Sequence, residues 1–106
     1  MTLQGTVTDE DLIEAQRRMF SEELFQGRYA RLIDATNVTR LLVTAGMVRA
    51  VSKAAVERGV RKAALVASSD VMYGMMRMYE GYASEAECQV FRNTDEALEW
   101  LFKRQA

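Results

Sequence analysis

Side chains that could bind an anion stand at the predicted ends of strands, where helices begin. They include Thr44, Ser68, Ser69, Asn93 and Thr94, with Asp34, Thr36, Asn37 and Asp70 near them. Ligands of open α/β sheets bind beyond the carboxyl ends of the strands, and helix N-termini there attract negative charge. However, the set contains no lysine and the chain has no glycine-rich phosphate loop. We therefore favour the simpler interpretation, that these residues cap helices and form turns.

The sequence offers little for catalysis or for metal binding. It has no histidine, which is the commonest general base and metal ligand, and a single cysteine, Cys88. A serine nucleophile at Ser68 or Ser69 would lack a base. The 15 acidic residues show no calcium-loop spacing. Cys88 falls in an apolar strand, where a thiol is usually inert. We expect no enzyme, no metal and no cofactor.

Composition limits the kinds of partner. The 106 residues are 49% hydrophobic and 27% charged, which is typical of one globular domain spanning 1–106. A net charge of −1 gives no electrostatic attraction to nucleic acid or to an anionic membrane. No apolar run is long enough to span a membrane, no secretion signal is visible, and one cysteine excludes an internal disulfide. We expect a cytoplasmic protein.

The elements that would position the polar residues alternate between strand and helix. Four short runs rich in β-branched or apolar residues predict strands at 2–7, 29–35, 62–67 and 88–92, and the turn-forming segment 36–40 predicts a connection after the second. Gly5 interrupts the first of these runs, which predicts that this run forms an edge strand of the sheet. The order β-α-β-α-β-α-β-α predicts an α/β domain with a mostly parallel sheet and four helices.

Local signals place the helix ends and the buried helix faces. Thr8 with Asp11, and Asn93 with Glu96, resemble capping boxes, and Gly59 suits a left-handed C-terminal cap. The faces predicted to point inward are Leu12, Ile13, Gln16, Met19, Phe20 and Leu24 in the first helix, Val48, Val51 and Ala55 in the second, and Ala97, Leu98, Leu101 and Phe102 in the last.

The segment SSDVMYGMMRMYEGY, residues 68–82, holds four of the seven methionines and three of the four tyrosines. At 100° per residue, Val71, Met75, Met78, Tyr79 and Tyr82 form the stripe predicted to face the sheet. The apolar arc is wider than one sheet face requires, because Met72, Tyr73 and Met76 lie beside that stripe. A neighbouring helix could cover these three residues. Alternatively, with Trp100, they form a surface for a partner such as a second copy, or they line a pocket for a small hydrophobic ligand.

The segments LVASSDVMYGMMRMYEGY and VFRNTDEALEWL resemble the SpoIIAA-like, or STAS-like, bacterial family, which is related in fold to anti-sigma-factor antagonists. GTVTDEDLI and LIDATNVT resemble further family segments, so the likeness covers nearly the whole chain. It implies a sheet of four or five strands with helices packed on it. Members usually carry another strand ahead of the first segment seen here, so a partner chain could cover this edge of the sheet.

The resemblance also implies a candidate phosphorylation site. In anti-sigma-factor antagonists a serine in an Asp-Ser-Ser-Gly turn is phosphorylated, and residues 43–46 correspond to that turn. Thr44 takes the acceptor position, but Val43 replaces the aspartate and Ala45 the second serine. We therefore favour a helix-capping role for Thr44.

Three functions follow as hypotheses. The first is a non-enzymatic regulatory module that acts through protein–protein contact, as a homodimer. The alternative is a carrier or sensor of a small hydrophobic ligand, by analogy with lipid-binding CRAL-TRIO domains, to which the fold is often likened. The third is a phospho-switch at Thr44.

Overall fold

The computed structural model describes residues 1–21, 30–83 and 86–102. In these residues strands and helices alternate as β1 (Thr2–Thr8), α1 (Asp9–Ser21), β2 (Ala30–Leu42), α2 (Ala45–Glu57), β3 (Lys62–Val66), α3 (Asp70–Glu80), β4 (Glu87–Phe91) and α4 (Thr94–Phe102). The strands form one parallel sheet in the order β1-β2-β3-β4. The predicted α/β class and element order are therefore confirmed.

The second strand is longer than predicted and joins two staggered halves of the sheet. Its first part pairs with β3, from Ala30 beside Lys62 to Asp34 beside Val66. Its second part pairs with β1, ending with Leu42 beside Thr8. Two register shifts in this second pairing leave extra residues in β2, as β-bulges do. The predicted turn at 36–40 is wrong, because bulges accommodate its polar residues while the strand continues.

Helix ends follow the local signals read from the sequence. The Asp11 carboxylate accepts a hydrogen bond from the Thr8 backbone N–H at 2.9 Å, and the Thr8 hydroxyl accepts one from the Asp11 N–H at 3.3 Å. The Asn93 side chain accepts a hydrogen bond from the Glu96 N–H at 2.9 Å. Gly59 has φ of 100°, in the left-handed region that glycine adopts without strain.

The two faces of the sheet carry separate cores. Helices α1, α2 and α3 contribute side chains to the larger core, with Ile33 and Val90 from the sheet. Helix α4 covers the other face, where it packs on Ala64 and Val66. Right-handed crossovers between successive parallel neighbours place their helices on one face, which explains the three-to-one division.

The buried side of α3 differs from the predicted one. Met72 and Met76 are each 5% exposed and belong to the larger core, whereas Val71 is 69% exposed and Met78 is 54% exposed. Met75 and Tyr82 are half-buried, as is Tyr79, whose hydroxyl donates a hydrogen bond to the Val43 carbonyl. The predicted sheet-facing stripe is therefore wrong for Val71 and Met78. A partner surface that includes Met72 and Met76 is also wrong, because both are core.

Two other predicted helix faces need correction. In α4, Ala97 and Leu101 are buried, but Leu98 and Phe102 are exposed, because this short helix contacts the sheet along only one stripe. In α1, Gln16 is buried and Ile13 is exposed. Leu24 lies outside the described residues.

Candidate ligand pocket

A pocket of about 90 Å³ lies between α2 and the three-helix face of the sheet, and it opens to the surface. Ile33, Leu65 and other apolar side chains of the sheet form one wall, and Val48, Val51 and Ala55 of α2 form the opposite one. The predicted inward stripe of α2 is thus the pocket wall. The lining is almost entirely hydrocarbon, which suits an apolar ligand.

Small side chains explain why space remains here. Ala55 of α2 and Ala63 of β3 both line the pocket, as do Ala83 and Ala86, which follow α3. An alanine at each of these points leaves room that a leucine or valine would fill. Protein interiors are otherwise packed as densely as organic crystals. The small side chains at these positions therefore contribute to the space that forms the pocket.

Arg31 brings a positive charge to the pocket wall. In-register pairing places Arg31, Ala63 and Cys88 in one row across β2, β3 and β4, and all three line the pocket. Arg31 donates a hydrogen bond from Nη1 to the Gln16 Oε1 atom at 3.1 Å. Its Nε is buried and has no hydrogen-bond partner among the described residues. Burial lowers the pKa of the guanidinium.

The Cys88 thiol also lies in the pocket wall. Burial raises the pKa of its thiol to about 11, and the negative charge of Glu80 acts in the same direction. The thiol therefore stays protonated at neutral pH, and the thiolate is the form that acts as nucleophile or metal ligand. Within the described part of the chain, no three histidine, cysteine, aspartate or glutamate side chains cluster as a metal site would need.

Comparison with known proteins settles the family. The model of the SpoIIAA-like family matches residues 1–102. This chain belongs to the SpoIIAA-like family. A solved structure of an uncharacterized DUF3478-family protein with a SpoIIAA-like fold, from Shewanella loihica PV-4, superposes with a TM-score of 0.59 and 19% identity, covering 94% of this chain and 80% of that one. At that identity the likeness concerns the fold alone. None of the curated proteins compared matches this chain.

The side chains considered as a candidate anion-binding edge do not assemble as one site, and several of them cap helices, as the favoured interpretation predicts. Ser69 caps α3 by accepting a hydrogen bond from the Met72 N–H at 3.1 Å, and the Ser68 hydroxyl donates to the Thr36 carbonyl at 3.2 Å. Asn93 caps α4, which begins at Thr94. Thr44 follows the far end of β2, eight residues beyond Thr36. The stagger of the sheet therefore separates Thr44 from the serines.

Thr44 caps α2, as predicted, and also binds α1. Its hydroxyl accepts a hydrogen bond from the Met47 N–H at 3.2 Å. The Asp9 carboxylate accepts two hydrogen bonds from Thr44, from the backbone N–H at 2.8 Å and from the hydroxyl at 3.0 Å. A phosphate on this hydroxyl would lie against the Asp9 carboxylate, and like charges repel. Phosphorylation of Thr44 stays a prediction.

The four residues suggested as a partner surface do not share one patch. Met72 and Met76 are buried, and Tyr73 is half-buried on the three-helix side with the Arg92 guanidinium 4.2 Å from its ring centroid. Trp100 is half-buried on the α4 side, 5.5 Å from Phe91 between ring centroids. The two aromatic residues therefore pack on opposite faces of the sheet. No helix in the described ranges is long and apolar enough to cross a membrane.

Sequence reasoning missed Arg31, the one charged side chain among the described pocket-lining residues. A signal for it was present. Along a strand, alternate residues point to the same face, so Arg31 shares a face with Ile33, which was predicted to be in a strand. An arginine two residues before a core isoleucine indicates a charge at the edge of the core.

Proposed function

We propose that this SpoIIAA-like domain is a non-enzymatic carrier or sensor that binds a small apolar molecule in the pocket beneath α2. The observation that carries the proposal is an open, hydrocarbon-lined pocket in the core, with four alanines among its lining residues. An apolar ligand in this space would gain dispersion contacts with the hydrocarbon lining and would remove apolar surface from water.

Size limits what the pocket accommodates. An apolar cavity of roughly 150 Å³ binds benzene, and this pocket has about 90 Å³. It therefore suits a short or branched alkyl group, and part of a longer chain would extend through the open side. The protonated Cys88 thiol and the lack of any histidine in the sequence favour binding over catalysis.

Ala55→Leu tests the pocket by filling it. Because Ala55 is buried and lines the pocket, the added carbons should occupy the ligand's space and raise the free energy of unfolding of the ligand-free protein by about 1–2 kcal/mol. Native mass spectrometry of the wild-type protein purified from cells should show a bound small molecule that the variant lacks. Chemical denaturation of the stripped proteins measures the stability change.

Ala50→Leu is the matched control, because Ala50 lies on the same helix but is exposed and does not line the pocket. It should retain the bound molecule. The proposal fails if the wild-type protein carries no ligand and Ala55→Leu lowers stability by 1 kcal/mol or more, since that cost is typical of overpacking a filled core.

A second candidate function is contact with another copy of the chain. Val71 and Met78 are exposed and lie seven residues apart on α3, so they form one apolar stripe two turns long. Methionine adapts well to partner surfaces. In addition, β1 is an edge strand, so its outer side pairs with no other described strand.

Light scattering at tens of micromolar should then give the mass of a dimer, and Met78→Glu should give a monomer because it places a charge in the stripe. Asp95→Glu, an exposed change on the opposite side of the sheet, is the control. A wild-type protein that is monomeric throughout this concentration range would rule out the dimer.

A further inference from the structure

We propose that the ligand of this pocket is an amphiphilic anion, a short-chain carboxylate whose head group binds Arg31 and whose apolar chain lies between α2 and the sheet. This inference rests on the proposed ligand-binding function and specifies the class of molecule.

The first observation is the incomplete pairing of the Arg31 guanidinium. Arginine carries five N–H donors, and the Arg31 Nη1 atom donates to the neutral side chain of Gln16 at 3.1 Å. The buried Nε has no partner in the described residues. Ion pairs in these residues involve Arg17, Arg18, Arg77 and Arg92, and none involves Arg31. Arg31 as a whole is half-buried, and charged groups withdrawn from water in proteins are normally paired.

The second observation is where that charge lies. Arg31 is at the start of β2, in the same row as Ala63 and Cys88, whereas Leu3, Val7 and Leu41 line the part of the pocket built from the other half of the sheet. The pocket thus has a charged end and an apolar end. A molecule with a negative head and a short hydrocarbon chain has the same asymmetry.

The geometry of the guanidinium selects a carboxylate among polar head groups. The Nε–H and the neighbouring Nη2–H of an arginine form a planar fork that matches the two oxygens of a carboxylate. The Gln16 hydrogen bond is made by Nη1, so no described residue accepts a hydrogen bond from the Nε–H of this fork. An alcohol would supply a single neutral acceptor, and an amine would place a second cation beside the first.

Three probes of equal chain length test the inference: hexanoate, 1-hexanol and hexylammonium. Each is titrated into the full-length protein after bound molecules have been removed by unfolding and refolding, and amide chemical shifts in NMR spectra report binding. Hexanoate should bind at least tenfold more tightly than 1-hexanol, and hexylammonium should bind most weakly. The shifts should be largest for pocket residues such as Ala55, Ala63 and Cys88.

Variants at position 31 connect this preference to the guanidinium. Arg31→Met keeps a long apolar side chain and should abolish the preference for hexanoate while preserving 1-hexanol binding. Arg31→Lys keeps the charge without the fork and should retain part of the preference. Should Arg31→Met fail to fold, the three probes on the wild-type protein still decide the question.

The outcomes separate this inference from the proposed function. Equal binding of hexanoate and 1-hexanol by the wild-type protein would overturn the carboxylate inference and leave the apolar pocket in place. A preference for hexanoate that persists in Arg31→Met would also overturn it. If no probe binds and the purified protein carries no ligand, both the proposed function and this inference fail.

Discussion

Met76→Ala should lower the free energy of unfolding by about 2–4 kcal/mol, whereas Met78→Ala, two positions further along α3, should change it by less than about 0.5 kcal/mol. Met76 is 5% exposed and packs in the larger core. Truncating its side chain to alanine therefore leaves a cavity that the surrounding side chains cannot fully close. Met78 is 54% exposed and leaves no cavity. The same chemical change therefore has a large effect on stability at one position and almost none at the other.

Urea denaturation followed by circular dichroism measures both variants, at low protein concentration so that association does not contribute. For a domain of this size, each 1 kcal/mol corresponds to about 4–8 °C in melting temperature, so Met76→Ala should melt at least about 8 °C below the wild-type protein. Equal effects of the two substitutions would contradict the orientation of α3 described above. A larger effect for Met78 would restore the orientation predicted from the sequence.

Lys62→Ala should lower the free energy of unfolding by about 2–4 kcal/mol, although substitutions of surface lysines usually change stability very little. Lys62 is buried beneath α4, its Nζ donates a hydrogen bond to the Trp100 carbonyl at 2.9 Å, and the same atom lies 4.4 Å from the Trp100 ring centroid. A cation is favourable here, because the carbonyls of the last turn carry the negative end of the helix dipole and the indole face attracts positive charge.

Lys62→Met separates the packing of the side-chain stem from the charge. It should cost less than Lys62→Ala, since it keeps most of the apolar contact with α4 while losing the hydrogen bond and the cation–π contact. Lys53→Ala, an exposed substitution on α2, is the control and should be near neutral. A cost below about 0.5 kcal/mol for Lys62→Ala would show that the buried ammonium contributes nothing net, as happens when desolvation offsets the attraction.

The pocket and the stability of the domain are connected through α2. This helix is held at its start by Thr44, which bonds to Asp9 at the beginning of α1, and at its end by the Gly59 turn. Between these points its inner face meets the pocket, where Ala55 is almost fully buried without a large neighbour filling the space beside it. A ligand in this space would therefore add contacts along the inner face of α2.

Short-range signals in the sequence determined the order of the elements and most of their ends. The Thr8 and Asp11 pair, Asn93 before the last helix, and Gly59 after the second all act within a few residues, so their effect does not depend on the rest of the fold. The compact apolar runs of β3 and β4 are similarly local. These features sufficed for the α/β class, whereas the resemblance to the SpoIIAA-like family rested on the likeness of whole segments such as 65–82 and 90–101.

Only the tertiary structure decided which side of α3 is buried. Seven of its eleven residues are apolar or aromatic, so almost any phase of a 100° periodicity gives an apolar stripe. Met72 and Met76 are buried, whereas Val71 and Met78 are exposed. Which pair is buried depends on where α3 lies relative to β2 and β4, and no local pattern encodes that position. The length of β2 was missed for a related reason, since its polar second half is a strand only because β1 pairs with it.

The candidate site depended on tertiary structure most of all. Arg31, Ala55, Ala63 and Cys88 come from four different elements, and each is unremarkable in its own segment. Their types were available from the sequence, but their meeting depends on strand register and on the distance between α2 and the sheet. The sequence by itself therefore determined which elements form and the small side chains in them, while long-range packing decided that those side chains surround a pocket with one half-buried cation in its wall.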